Sequence, residues 1–250
     1  YGQIKKIRLS LRTISAIIGS DHSKNPSPVR KDVANENRLR YNKTSNDFWG
    51  VLLRSDAEGD MMMRCPDFEH LLGYHAAPLL AGLTAGSLLS FQKSRFQDFE
   101  ALLAAYEPCF SCKGISTFRV AEGEEYVLIL FYRAELVARA LAVSQAQDIL
   151  CEAGYRTTDS MEERLEFLRL RMRVRKTLPP EVGLFLGYPP EDVRAFIARR
   201  GQDFVYSGYW KVYTNEAEAR ALFEQYSVCT QEFCTRLEAG RPLAELVQAV

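Results

Sequence analysis

The side chains able to do covalent or metal chemistry are few in this 250-residue chain: six cysteines, at 65, 109, 112, 151, 229 and 234, and three histidines. Only Cys109-Phe110-Ser111-Cys112 has a spacing that metal or redox chemistry uses. A C-x-x-C supplies half of a tetrahedral zinc site and needs a second pair to complete it. Cys229 and Cys234 would be that pair, but their separation is poor for a zinc knuckle. Cys229 also falls on an apolar helical stripe, where a free thiol behaves as a small hydrophobe. A redox C-x-x-C follows a strand and opens a helix, whose dipole lowers the thiol pKa; this one precedes a predicted strand. No metal site is expected, and Cys109 and Cys112 are where one would fall. After Met63 the only histidines are His70 and His75, very little material for a catalytic triad or a two-histidine centre. No catalytic residue is assigned and no cofactor is implied.

Binding chemistry has more material. His75 lies between Tyr74 and Ala76 at the edge of a small-residue segment with room for a ligand. Tyr188 immediately precedes Pro189, which forces extended geometry on it, so it should project from the carboxyl end of a preceding strand, a common ligand position in helix-covered sheets. With Trp210 from the next strand, His75 and Tyr188 make the candidate binding surface. Phosphate is not the expected ligand, because Glu191 and Asp192 sit where an anion would bind and no G-x-G-x-x-G or Walker sequence occurs. Arg164, Arg169, Arg171, Arg173, Arg175 and Lys176 form a basic run, but Glu162, Glu163 and Glu166 share its first half, the pattern of a solvated helix face. Strand alternation puts Tyr209 and Tyr213 opposite Trp210, which breaks up a base-stacking platform. Nucleic acid is not the expected partner on these grounds; a small molecule or a protein is.

The elements that must position these residues centre on Pro179–Thr214. Val182–Leu186 reads as a buried strand stopped by Gly187 and the proline pair. Pro190 then opens a helix with Glu191 and Asp192 at its positive end, and Gly201 follows as the residue that closes it. Phe204–Tyr213 has the aromatic and β-branched content of a second strand. Upstream, a short helix starts near Asp67, Ser94 with Gln97 suggests a capping box, and Ile115–Val120 with Tyr126–Tyr132 reads as a hairpin. Capping boxes at Ser144/Gln147 and Ser160/Glu163 predict two helices, with Gly154 ending the former and Leu165, Leu168 and Met172 buried on the latter. Asn215 with Glu218 opens a long last helix, buried through Leu222, Tyr226, Cys229, Phe233 and Leu237 and closed by Gly240. This order implies an α+β fold: a mixed sheet of four or five strands covered by helices, in a single domain over residues 63–250.

The segments YHAAPLLAG, Lys113-Gly114-Ile115, GLFLGYPPEDVRAFI and GYWKVYTNEAEARALFEQY resemble, in that order, a bacterial family known as domain of unknown function 3793. The resemblance runs from about Phe68 to Gly240. It implies a domain boundary and a bacterial origin, but no activity. In the family a cysteine often follows the histidine of the first motif; Ala76 takes its place here, which removes any role resting on that thiol.

Lys and Arg together equal Asp and Glu at 32 each, so no overall charge draws the chain to nucleic acid or an anionic membrane. The balance is uneven, since residues 1–60 hold 11 basic against 7 acidic side chains. That stretch is polar and turn-rich and lacks methionine before Met61. Residues 1–62 are therefore expected to be upstream sequence ahead of a start at Met61–Met63, or a poorly structured extension; the competing expectation is a basic arm led by Ile4–Ile18. Leu71–Phe91 is 21 residues without a formal charge, but His75, Pro78, Tyr74 and three glycines argue against a membrane span. A cytoplasmic location with reduced thiols follows from the sparse cysteines. Two functional readings remain: a regulatory or accessory module that binds a small ligand or partner, or a metal- or thiol-dependent redox-linked protein built on His75 and the cysteines.

Overall fold

A run with bulky apolar side chains on both faces cannot lie at a surface, and Tyr126-Val-Leu-Ile-Leu-Phe-Tyr132 is the middle strand of the fold. The computed structural model describes residues 65–175 and 177–250, so the expectations for residues 1–62 lie outside the described residues. In chain order its elements are α1 (Pro66–Leu80), β1 (Gly86–Gln92), α2 (Phe99–Ser111), β2 (Ser116–Glu122), β3 (Tyr126–Tyr132), α3 (Ala134–Leu141), α4 (Ser144–Ala153) and α5 (Met161–Arg175). There follow α6 (Val182–Phe185), α7 (Pro190–Ala198), β4 (Tyr206–Ser207), β5 (Lys211–Val212), α8 (Glu216–Glu238) and α9 (Leu243–Leu246).

The main sheet is antiparallel with strand order β1-β3-β2. β1 pairs with β3 from Gly86↔Tyr132 to Gln92↔Tyr126, and β2 pairs with its other edge as the expected hairpin, slipping register between Arg119 and Ala121. Alternation along β3 sends Val127, Ile129 and Phe131 to one face, where they meet Phe68, Leu72, Phe91, Tyr106 and Phe233. Leu128 and Leu130 point to the other face, against Val137, Ile149, Leu165, Leu168 and Phe185. The sheet is thus covered on both sides by helices. A smaller cluster, built on Trp210, Val212, Phe223 and Tyr226, holds β4 and β5 against the first half of α8.

The α+β class holds, with a smaller sheet than the four or five strands expected: three antiparallel strands plus a separate two-stranded ribbon. Val182–Leu186 is not a strand but the helical turn α6, in which Val182, Gly183 and Leu184 donate their N–H groups to the carbonyls of Pro179, Pro180 and Glu181. Every residue from Glu181 to Leu186 is buried, and burial on all sides erases the period that separates a core strand from a core helix. Phe204–Tyr213 is a tight hairpin instead of one long strand, turning where Gly208 donates to the carbonyl of Trp210 at 3.0 Å. The ring of Phe223 sits against Gly208 so closely that a Cβ there would lie 2.1 Å from its Cδ2.

Capping shows a similar division. The Ser160/Glu163 box forms reciprocally, with Glu163 N–H donating to Ser160 Oγ at 3.2 Å and Ser160 N–H to Glu163 Oε2 at 2.7 Å. Gly154 ends α4 in the left-handed region at φ 100°. Ser94 and Gln97 form no such box; Lys93–Arg95 is a 3-10 turn, and the carboxylate of Asp98 caps α2 by accepting from Ala101 N–H at 3.0 Å. Neither Ser144 nor Asn215 makes a side-chain cap. The uncharged stretch Leu71–Phe91 is divided between α1 and β1, and no helix among the described residues is long and apolar enough to cross a membrane.

Candidate functional site

The ribbon and the start of α7 make a lobe assembled around one carboxylate. Pro190 starts α7 because it needs no N–H partner there, which places Asp192 in the first turn. Asp192 is 3% exposed, and its carboxylate accepts four hydrogen bonds. Oδ2 takes the indole N–H of Trp210 at 2.7 Å; Oδ1 takes Tyr213 N–H at 2.8 Å, Thr214 N–H at 3.0 Å and the Thr214 hydroxyl at 3.2 Å. The sequence marked Asp192 as a complement to the helix dipole and an obstacle to a bound anion, not as a hub. The overlooked signal is the tryptophan, since a buried indole N–H needs an acceptor.

Trp210, so anchored, stacks on Tyr188 at 5.0 Å between ring centroids and 28° between planes, and Phe223 meets its face edge-on at 4.5 Å. The Tyr188 hydroxyl donates to the carbonyl of Tyr209 at 3.3 Å. Burial, with the nearby Tyr226 hydroxyl second, pushes the Tyr188 phenol up to about 12. Tyr209 stays partly exposed, its inner edge packed on Tyr226 at 5.0 Å and on Phe223 at 5.4 Å. Tyr226 in turn donates to the carbonyl of Leu83 at 3.2 Å, and Thr84 Oγ1 to that of Leu186 at 2.8 Å, which ties the lobe to the sheet. The hairpin overturns the expected alternation: Tyr206, Tyr209 and Trp210 all gather around Phe223, while Tyr213 lies under the guanidinium of Arg199.

Of the three candidate site residues, the structure brings Tyr188 and Trp210 into contact. His75 is elsewhere, exposed on α1, where its carbonyl accepts from Ser87 Oγ at 3.2 Å and its ring meets Tyr74 edge-on. Desolvation lowers its pKa even though the residue as a whole is exposed. Tyr188 does not stand at a strand's carboxyl end, because the strand assigned to Val182–Leu186 is a helical turn; its position comes from the left-handed Gly187 and from Trp210.

The thiols are dispersed. Cys109 is half-buried at the end of α2 and Cys112 is exposed just past it, its Sγ donating to the carbonyl of Cys109 at 3.2 Å. That is the negative end of a helix, which disfavours a thiolate. Burial first, then the neighbouring Cys112, raises the Cys109 pKa. Burial pushes Cys229 up to about 11. No group of three or more His, Cys, Asp or Glu is placed to hold a metal ion among the described residues.

Three arginines of the basic run find partners within the chain. Arg171 pairs with the buried Glu181, Arg164 donates to the carbonyls of Asp159 and Thr157, and Arg169 pairs with Glu166 while lying over the Phe118 ring. Another buried charge escaped the sequence reading altogether. Arg133, 3% exposed, donates to the carbonyls of Leu79, Leu80, Lys113 and Gln248, which fastens the end of α1 and the chain after α9 to the sheet. The buried Glu69 accepts from the Tyr106 hydroxyl at 2.8 Å.

A family model with the description "Protein of unknown function (DUF3793)" matches residues 72–247. Neither a curated protein nor a solved structure matches the chain.

Proposed function

The chain belongs to the DUF3793 family, and from that premise we propose that it works by binding, as a bacterial, cytoplasmic accessory or regulatory module with no catalytic step of its own. One observation carries this reading. The stacked Tyr188 and the buried Trp210 are held in place by Asp192 and Tyr209, and Tyr209 itself is left 37% exposed beside them. Fixed aromatic faces cost little entropy to bind against, and they suit a planar heteroaromatic small molecule. The buried charges Glu69, Arg133, Glu181 and Asp192 are all engaged within the fold, so their chemistry is spent on architecture. Support for the redox-linked alternative is thinner. Cys109 and Cys112 stand at the carboxyl end of α2, where the helix dipole disfavours a thiolate.

The test uses the two tryptophans of the chain. In a Trp49→Phe background, the emission of Trp210 is titrated with planar heteroaromatic compounds, adenosine and thiamine among them. A saturable change that disappears in Tyr209→Ala is expected for the compound class recognised. No saturable change with any compound, or the same change in Tyr209→Ala, overturns the proposal.

A further inference from the structure

The outer face of α5 has a pattern that folding of one chain does not use. Its inner face is accounted for: Leu165, Leu168 and Met172 are buried in the core, and Arg171 reaches Glu181 and the carbonyl of Ala153. The outward stripe is Glu163, Phe167, Leu170 and Val174, with steps of four, three and four residues, the a/d spacing of a helix that packs along another helix. Leu170 is 49% exposed and Val174 73%, on a body whose other aliphatic side chains are mostly buried. Phe167 is half-buried because its inner edge packs on Tyr155 at 4.7 Å. Beside the stripe runs an open groove of about 620 Å³ between α5 and the turn from Gly154 to Asp159.

Charge says what fits there. Glu162, Glu163 and Glu166 occupy the first turns of α5, and Arg169, Arg173 and Arg175 its second half. Within the chain Glu166 pairs with Arg169, and Glu163 serves the capping box. Glu162, Arg173 and Arg175 are exposed and form no ion pair among the described residues. We propose that this face is a self-association surface, on which α5 of a second copy packs antiparallel about a two-fold axis that passes between Phe167 and Leu170 on the outward stripe. In that arrangement the acidic turns of each copy face the basic turns of the other, and the apolar stripes meet between them. A parallel pairing would set glutamates against glutamates. The assignment is independent of the aromatic lobe. A single helix face offers less than the roughly 800 Å² per partner of a standard interface, so the dimer is concentration-dependent.

Sedimentation velocity of the full chain across the micromolar range tests this. The wild-type chain should move from monomer toward dimer as concentration rises. Leu170→Glu with Val174→Glu should raise the dimer dissociation constant at least tenfold, with no change in thermal midpoint because both side chains are exposed. Arg173→Glu should weaken association as well, and adding Glu162→Arg to it should recover most of the loss by inverting the pattern on both copies. A chain that is monomeric throughout, or a dimer indifferent to Leu170→Glu and Val174→Glu, overturns the surface. A dimer in which Glu162→Arg fails to rescue Arg173→Glu overturns the antiparallel pairing.

Discussion

The sheet-centred body and the aromatic lobe hold together by different means. In the body, β3 is buried on both faces between two layers of apolar side chains, and position along a strand alone decides which layer a residue joins. The lobe has only Trp210, Val212, Ala219, Phe223 and Tyr226 as its buried apolar set, too little to fix a hairpin with two residues per strand. Its geometry comes instead from the four bonds to Asp192. Such a hub specifies one arrangement, whereas apolar packing tolerates several of similar volume, and the price is a carboxylate that must never lose its donors.

Truncation in each region should separate the two. Phe131→Ala removes a ring with no exposure from the centre of the body, and large cavities of that kind cost about 3–5 kcal/mol. Urea denaturation should show the loss as a lower midpoint for the whole molecule. Asp192→Ala is expected next in size, at about 3 kcal/mol, because it strands the Trp210, Tyr213 and Thr214 donors in a dry site. Its effect should be local: hydrogen exchange at Tyr213 and Thr214 accelerates while β3 amides keep their protection. If β3 loses protection equally, lobe and body are one cooperative unit and the contrast between them fails.

Gly187→Ala tests the joint between the regions. Gly187 has φ +82°, and a Cβ there would approach the Ala85 Cβ to 3.1 Å, so a loss above about 1 kcal/mol is expected. A neutral result by denaturant titration would mean that the turn relaxes freely.

Alkaline pH adds a finer comparison. The Cys229 thiol, against the body core, is raised from 9.0 to about 11, and the Tyr188 phenol of the lobe from 10.0 to about 12. Both groups are neutral when protonated, and both keep the proton longer in the folded state. Their stabilisation is complete below the unfolded pKa values and is lost as pH rises through the folded ones. Stability should therefore decline from pH 9 to 11 through Cys229 and from 10 to 12 through Tyr188. Cys229→Ala should flatten the former window and Tyr188→Phe the latter. The smallest effect is expected for Tyr209→Ala, within roughly 0.5 to 1 kcal/mol, since its ring is partly exposed and its carbonyl, the acceptor for Tyr188, is kept. A larger loss of thermal stability would make Tyr209 a packing residue and weaken its role as a contact surface.

The sequence by itself determined the features whose partners lie within a turn or two. Ser160 and Glu163 cap each other across three residues, Gly154 and Gly187 take the left-handed conformations that end their turns, and the apolar face of α5 follows from helical spacing. Tyr126–Tyr132 was legible as the central strand because its apolar content fits no exposed position. Tertiary structure decided the rest. Val182–Leu186 became a helical turn because complete burial leaves no period to read. Gly208 turned a strand into a hairpin because Phe223, fifteen residues on, occupies the space a side chain would need. Tyr188 met Trp210, and His75 met neither, by the way α7 and the ribbon fold back on α8. Asp192 reaches donors 18 to 22 residues away, and Arg133 reaches carbonyls up to 115 residues away. A short-range contact is encoded by the spacing of adjacent side chains. A buried charge takes whichever partners the folded chain delivers to it, because leaving it unpaired costs more than any local preference supplies.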